Sequence, residues 1–166
     1  MRQIFKFLPM ANRRRLVILM LGINTISYLR TFMEKQFRLL IVDDQPRARQ
    51  SLSALLVIDF PQIDIFEASN GKEALRQVKV VQPDAIVMDV LMPEVDGMDA
   101  TRLIKATYPQ IKIILYSMYP EYKKAALSAG ADAFITKGDP SKTLIDTIGT
   151  LIHPNSDSIS NRIGEC

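Results

Sequence analysis

The sequence predicts an α/β fold in which one five-stranded parallel sheet is doubly wound, with helices on both faces. From Phe37 onward, short apolar runs alternate with helical segments five times, which is the pattern of parallel strands joined by crossover helices. Three of the runs are uninterrupted, as expected for strands that helices cover on both faces. These are LLIV, AIVM and IILY at 39–42, 85–88 and 113–116.

The other two strands are predicted from their place in this alternation. Residues 63–67, IDIFE, mix polar and apolar side chains, which favours a strand at the edge of the sheet. The fifth strand is predicted at 133–136, just before Lys137.

Helix starts are marked by capping residues between the strands. Pro46 suits a first helical turn, and Asn70 followed by Glu73 resembles a capping box. Asp96 and Asp139 each precede a helical segment, and a proline follows Asp139. We therefore interpret these two aspartates as helix caps rather than site residues.

The composition is that of one folded domain. The chain has 166 residues with 48% hydrophobic and 23% charged residues, and its single cysteine, Cys166, cannot form an intramolecular disulfide. The net charge of +3 is unevenly distributed: residues 1–36 hold seven basic residues and one acidic residue, whereas the rest holds fourteen and seventeen. A mildly acidic domain does not favour direct nucleic-acid binding.

Domain boundaries follow from this distribution. Residues 1–36 are predicted to be a basic and apolar extension, 37–152 the domain, and 153–166 a disordered tail. The uncharged stretch 16–29 would span about 21 Å as a helix, too short for a hydrocarbon core of roughly 30 Å, and no small-residue cleavage site follows it. We therefore expect no membrane contact and a cytoplasmic protein. An alternative interpretation starts translation at Met33, which would leave 1–32 untranslated.

Polar side chains follow four of the five predicted strands. Asp43 and Asp44 follow the first strand, Asp89 the third, Ser117 the fourth and Lys137 the fifth. In an open parallel sheet, ligands bind at the carboxyl ends of the strands where the strand order reverses. The five side chains are therefore expected to form one site.

The residue types in this site suit phosphoryl chemistry. Three neighbouring carboxylates need a counter-charge, and Mg²⁺ is a hard cation that takes oxygen ligands and substrate phosphate. One carboxylate is then left to act as a nucleophile and form an aspartyl-phosphate. Lys137 supplies a mobile positive charge and Ser117 a short hydroxyl donor for phosphoryl oxygens, whose charge grows in the transition state.

Four segments occur in order at compatible spacings: LLIVDDQPRARQSL, DAIVMDVLMPEVDGMDATRLIK, IILYSM and AGADAFITKGDP. Together they resemble the response-regulator receiver domains of two-component signalling. The resemblance covers residues 37–152 and implies the flavodoxin-like strand order 2-1-3-4-5. It also implies a partner that is a sensor histidine kinase or a histidine phosphotransfer protein.

The resemblance assigns a role to each acidic residue of the site. Asp89 would be the phosphoacceptor, and Asp44 and Asp89 would ligate Mg²⁺. Asp43 would support the ion through water, and the Leu91 backbone carbonyl would complete the protein ligands.

The resemblance also covers the residues that respond to phosphorylation. Ser117 and Lys137 would bind the phosphoryl group, and Phe134 occupies the aromatic switch position, although it could equally be a plain core residue. Met118 departs from the family, in which a small residue often follows the switch hydroxyl, and this could narrow access to the site. Output would run through protein contacts near the fourth and fifth strands, with a phosphorylation-linked homodimer as one form of it.

Other functions fit the sequence less well. An aspartate-nucleophile phosphohydrolase would need a second aspartate two residues after the nucleophile, where this chain has Leu91. A flavin-binding protein would need a phosphate loop where this chain has DDQPRA, and no GxxxxGK run occurs. The SMYPE stretch resembles receivers that precede a helix-turn-helix, so the chain could be the remnant of a DNA-binding regulator. The twelve residues after Pro154 are too few for such a domain.

Overall fold

The computed structural model describes residues 36–152. The predictions made for 1–35, including the apolar stretch 16–29 and the start at Met33, and for the tail 153–166 lie outside the described residues. The elements, in chain order, are β1 (Arg38–Val42), α1 (Pro46–Asp59), β2 (Asp64–Ala68), α2 (Gly71–Val81), β3 (Ala85–Met88), α3 (Gly97–Thr107), β4 (Lys112–Ser117), a 3-10 turn (Pro120–Tyr122), α4 (Lys123–Ser128), β5 (Ala133–Thr136) and α5 (Ser141–Ile152).

The five strands form one parallel sheet in the order β2-β1-β3-β4-β5. The predicted fold class, with the flavodoxin-like order 2-1-3-4-5, is therefore confirmed. β2 lies at one edge, as its mixed composition predicted, and begins one residue later than expected, at Asp64. From β1 the chain first moves outward to β2 and then crosses to β3, so the strand order reverses between β1 and β3. Ligand sites of open α/β sheets lie at this reversal.

Both faces of the sheet are covered by apolar side chains. In β1, Leu40 and Val42 belong to a cluster on one face, and Leu39 and Ile41 to a cluster on the other. All four are essentially inaccessible to solvent. This two-sided burial explains why the central strands are uninterrupted apolar runs, because alternate side chains of a strand point to opposite faces.

The predicted capping of α2 and α3 is present. The Asn70 side chain accepts a hydrogen bond from the Glu73 N–H at 2.8 Å, and the Asp96 side chain accepts one from the Asp99 N–H at 2.8 Å. The second half of the capping box differs, because the Glu73 carboxylate accepts from the N–H and hydroxyl of Ser69, one residue before the cap. These hydrogen bonds from Ser69 are the main reason that the pKa of Glu73 lies below its usual value.

Asp139 differs from its prediction as a forward cap of α5. Its carboxylate accepts a hydrogen bond from the Thr136 N–H at 3.0 Å, and its own N–H donates to the Thr136 carbonyl at 2.9 Å. The aspartate thus closes the turn after β5 instead of capping the helix that follows, because the backbone N–H of Thr136 lies within its reach.

None of the helices between residues 36 and 152 has the length and apolar character needed to cross a membrane.

Candidate functional site

The central pair of carboxylates lies where the strand order reverses. β1 and β3 are neighbours with Val42 opposite Met88, so Asp43 and Asp89 follow directly at the same edge of the sheet. The Asp89 N–H donates to the Val42 carbonyl at 2.8 Å, which continues the ladder by one step. The two carboxylates are therefore placed by the sheet itself rather than by a mobile loop.

Lys137 joins these two carboxylates. Its Nζ donates to Asp43 Oδ2 at 2.7 Å and to Asp89 Oδ2 at 2.8 Å. The lysine is placed by β5, because its backbone N–H donates to the Ser117 carbonyl at 2.7 Å and so ties the ends of β4 and β5 together. Burial acts to lower the pKa of Lys137, but the hydrogen bonds to Asp43 and Asp89 outweigh it, and the pKa is raised. The lysine is therefore a permanent positive charge in the site.

The three aspartates differ in how firmly they are held. Asp43 is buried, and its Oδ1 accepts from the Gln45 N–H at 2.8 Å. Asp89 is half-buried, and its Oδ1 accepts from the Val90 N–H at 2.7 Å. Asp44 is exposed, and no hydrogen bond or ion pair from residues 36–152 holds its carboxylate. The site thus has two fixed acids and one that faces solvent.

This arrangement fits a divalent cation. One carboxylate oxygen from each of Asp43, Asp44 and Asp89 lies within 4.8 Å of the others. Among residues 36–152, the three carboxylates face the ammonium of Lys137, and the nearby guanidinium of Arg49 is paired with Glu67. This leaves excess negative charge in a partly buried place, which favours a bound cation. The donor set is all oxygen, and one of the acids faces solvent, which suits an ion such as Mg²⁺ that keeps several waters.

Ser117 and Tyr116 lie at the end of β4. Ser117 is fully buried, and its Oγ accepts from the Tyr119 N–H at 3.3 Å. Lys137 Nζ lies 5.8 Å from the centre of the Tyr116 ring, within the range of a cation–π contact. Burial raises the pKa of Tyr116, so the ring stays neutral beside the lysine. Tyr116 was predicted only as part of the fourth strand and not as a site residue, although a tyrosine at the end of an apolar strand is a recognisable signal.

Phe134, Leu91 and Met118 are the remaining residues that the family resemblance singled out. Phe134 lies on β5 opposite Leu115 and packs, half-buried, against the core cluster that contains Leu40 and Val42. Leu91 and Met118 are 44% and 61% exposed, each in the loop that follows a site strand. Both side chains are therefore apolar groups that face solvent.

Two glycines pack closely against the loop between β3 and α3. The sequence did not predict either of these close contacts. The Gly97 N–H donates to the Val90 carbonyl at 2.8 Å, and a Cβ at this position would lie within 3.0 Å of the Asp89 carbonyl oxygen. A Cβ on Gly71 would likewise lie within 3.0 Å of the Val95 carbonyl oxygen. The helix start at Asp96-Gly97 is confirmed. The close approach of the Gly97 backbone to the Asp89 backbone is a tertiary contact, which a local sequence pattern does not predict.

The fold and the site define the class of the protein as a doubly wound α/β domain with an acidic pocket at the reversal of its strand order. The family model of the response regulator receiver domain matches residues 39–149. The chain belongs to this family, a signalling domain of two-component systems.

Individual relatives agree with this assignment. The response regulator protein VraR of Staphylococcus aureus is 35% identical over 113 residues, which are 67% of this chain and 54% of VraR. The chain thus spans about half the length of this curated relative. The response regulator TrrA of Thermotoga maritima, solved in complex with Mg²⁺ and BeF, is 28% identical with a TM-score of 0.64 over 70% of this chain and 99% of TrrA.

A LuxR-family two-component response regulator from Aurantimonas sp. is also similar. It is 28% identical, with a TM-score of 0.66 over 71% of this chain and 86% of that structure.

Proposed function

We propose that the chain accepts a phosphoryl group on Asp89 from a sensor histidine kinase or a histidine phosphotransfer protein. The observation that carries this proposal is the ammonium of Lys137 held between Asp43 and Asp89, 2.7 and 2.8 Å from their Oδ2 atoms. A nucleophilic carboxylate next to a fixed cation suits phosphoryl transfer, in which catalysis is mostly positioning and electrostatic stabilisation.

We also propose that Mg²⁺ is the cofactor. Asp44 and Asp89 would be its carboxylate ligands, Asp43 would act through a water, and the Leu91 carbonyl would complete the protein ligands. The cluster of three carboxylates supports this, as does the TrrA structure, whose complex contains Mg²⁺ and BeF. When bound, the ion supplies positive charge for the phosphoryl oxygens.

A phosphohistidine donor carries its phosphoryl group on a phosphorus–nitrogen bond. An oxygen of Asp89 attacks phosphorus, the new oxygen–phosphorus bond forms, and the bond to the donor imidazole breaks, with the electron pair remaining on that nitrogen. Lys137 then moves its hydrogen bond from Asp89 to a phosphoryl oxygen. Access is supported by a cavity of about 240 Å³ between α1 and the sheet, which reaches both residues.

Ser117 would complete the response. Its Oγ accepts from the Tyr119 N–H, and its hydroxyl hydrogen has no acceptor among residues 36–152, so the hydrogen can be donated to a phosphoryl oxygen. Movement of Ser117 would pull on the Tyr119 backbone, and Phe134 on β5 would change rotamer in response. The output surface would then lie near β4 and β5, with contacts to a target protein or a second copy of the chain.

We propose storage of the phosphoryl group rather than turnover. The position two residues after Asp89 is Leu91, so that position lacks the acid that a phosphohydrolase would use. The exposed side chains of Leu91 and Met118 are apolar and offer no proton to a leaving group or to water. The domain would thus assist its own phosphorylation and would hydrolyse the phosphoryl group only slowly. We expect this to take place in the cytoplasm, where kinases have access to ATP.

A second candidate is that the chain is the remnant of a DNA-binding response regulator. Similarity to the receiver domain of a DNA-binding response regulator, at 26% identity and a TM-score of 0.65, favours it. Even then, the mildly acidic receiver part would act through protein contacts rather than on nucleic acid directly.

The test is phosphorylation of the purified protein by a small phosphoramidate donor with Mg²⁺, followed by intact-mass measurement. We expect one phosphoryl group on the wild type and none on Asp89→Asn. Asp96→Asn is the matched control, because Asp96 lies in the same loop but caps α3, and it should be labelled normally. Undiminished labelling of Asp89→Asn would refute the assignment.

A further inference from the structure

An arginine of α1 holds the backbone between the two acidic residues that follow β1. The Arg49 side chain is only 15% exposed. Its Nη1 donates to the Asp43 carbonyl oxygen at 2.7 Å, and its Nε donates to Glu67 Oε2 at 3.0 Å. Glu67 lies on the edge strand β2, so the guanidinium links α1, the β1 end and β2. The forked guanidinium suits two such acceptors at once, whereas a lysine offers a point charge.

The Asp43 carbonyl is one of four anchors on this residue. The Asp43 N–H donates to the Ala68 carbonyl at 3.2 Å, its Oδ1 accepts from the Gln45 N–H, and its Oδ2 accepts from Lys137. Gln45, the N-terminal cap of α1, makes no side-chain capping hydrogen bond. Its side chain therefore does not stabilise the turn between β1 and α1. The contact from Arg49 is therefore the anchor of the carbonyl that precedes Asp44.

This anchor matters most for Asp44. The Asp44 carboxylate makes no hydrogen bond or ion pair with residues 36–152, so its direction depends on the main chain that carries it. Rotation about the Cα–C bond of Asp43 would move the Asp43 carbonyl oxygen and the Asp44 residue together. A hydrogen bond that fixes the carbonyl therefore also fixes the position of the Asp44 main chain, from which its carboxylate extends.

We propose that Arg49 is a positioning residue for the metal site, which holds Asp44 in the direction needed to bind Mg²⁺. This inference rests on the proposed Mg²⁺ site. Arg49 does not itself touch the ion, and Glu67 in turn orients the guanidinium.

The sign of the effect separates positioning from simple electrostatics. Arg49 adds a positive charge next to an acidic site, so by charge alone its removal would strengthen the binding of a cation. If Arg49 positions Asp44, its removal weakens binding instead. Loss of partners that orient metal ligands typically lowers metal affinity by about tenfold to a hundredfold. Because Arg49 acts through the main chain and not on a ligand atom, we expect its loss to lower Mg²⁺ affinity by about tenfold.

The experiment is a MgCl₂ titration of Arg49→Met, followed by the amide NMR shifts of Asp89 and Val90. Methionine keeps much of the aliphatic stem but removes both donors and the charge. We expect an about tenfold higher dissociation constant for Mg²⁺ than in the wild type. An unchanged or lower dissociation constant would overturn the inference. Arg49→Gln, judged by the same criterion, serves if Arg49→Met does not fold.

Arg38→Met is the matched control for a general loss of stability. Arg38 is also a partly buried arginine that donates to a backbone carbonyl, that of Val81, at 2.5 Å, but it lies at the opposite end of β1. We expect it to lower the urea midpoint in Mg²⁺-free buffer without changing Mg²⁺ affinity. An equal loss of affinity in both variants would show a purely structural role for Arg49. Absence of Mg²⁺ binding by the wild type would instead count against the proposed metal site.

Discussion

The backbone of Gly97 packs directly against the carbonyl oxygen of Asp89. A Cβ at position 97 would overlap this oxygen, at a separation that real Cβ atoms essentially never show, and would lie 3.0 Å from the carbonyl carbon of Asp89. The obstacle is main chain and cannot rotate away as a side chain can. The conformation of the loop that carries the phosphoacceptor candidate is thus tied to the absence of a side chain eight residues later.

Gly97→Ala should therefore destabilise the protein and disturb the site together. We expect the free energy of unfolding to fall by about 1–3 kcal/mol, as for other overpacked positions, and phosphorylation to slow. Urea denaturation and the intact-mass assay measure the two effects. Gly149→Ala is the control, because its Cβ would meet Phe60 at 3.7 Å and it lies inside α5, where alanine is favoured by roughly 0.5–1 kcal/mol. If Gly97→Ala unfolds at the wild-type urea concentration and is phosphorylated at the wild-type rate, the close approach of Gly97 to the Asp89 carbonyl is contradicted.

Lys137→Ala should separate phosphorylation from the conformational response. Without the ammonium, Asp89 remains as nucleophile, so we expect labelling to slow by about a hundredfold but not to vanish. The amide shifts of Ser117 and Tyr119 on addition of Mg²⁺ and beryllium fluoride should be largely lost.

Lys142→Ala is the control for Lys137→Ala, because Lys142 is exposed and pairs with Asp146 within α5. It should keep both labelling and response. A full response in Lys137→Ala would remove the lysine from the proposed mechanism.

Leu91→Asp tests the proposal that the domain stores its phosphoryl group. An acid two residues after Asp89 could assist water or the leaving group, so we expect the phosphorylated form to decay about a hundredfold faster, at the low end for general acid–base catalysis. The decay is followed by intact mass after removal of the donor. Leu103→Asp, on the exposed side of α3 at 52% exposure, should decay as the wild type does. Equal lifetimes in all three proteins would mean that Leu91 does not control the lifetime.

Asp132 should make stability depend on pH in acid. Burial raises the pKa of Asp132, but hydrogen bonds from Lys105, the Ile113 N–H and Lys112 outweigh it, and the net pKa lies below the usual value. Because the folded-state pKa is lowered, the unfolded chain takes up the proton first as pH falls. The stabilisation is then fully present above the ordinary aspartate pKa of about 3.9 and is lost as pH falls through the lower folded value.

The measurement is urea unfolding of wild type and Asp132→Asn from neutral pH down to acid. We expect the variant to be less stable near neutral pH and to lose less stability on acidification, so the two curves converge. Parallel curves would indicate that Asp132 adds nothing to the acid dependence.

Much of this molecule is encoded in local sequence patterns. The uninterrupted apolar runs of β1, β3 and β4 predict strands buried on both faces, and the mixed segment after α1 predicts the edge strand. Parallel strands bring their carboxyl ends to one edge, so Asp43, Asp89 and Lys137 could be predicted to meet there. Caps such as Asn70 are also local, because donor and acceptor lie within one turn of each other.

The contacts within the site could not be predicted in this way. Lys137 donates hydrogen bonds to two carboxylates that are 94 and 48 residues away in sequence. Which acids it contacts depends on the register of β1, β3 and β5, because the register sets how far each strand extends at this edge of the sheet. Asp139 turns back to Thr136 although its pattern predicts a forward cap, since the Thr136 N–H is within hydrogen-bond distance of its carboxylate. Gly97 against Asp89, and Arg49 against the Asp43 carbonyl, depend likewise on the packing of a helix or loop against a strand end. Periodicity and caps record short-range preferences of the chain, whereas these partners are set by distances of a few ångströms between segments that meet only after folding.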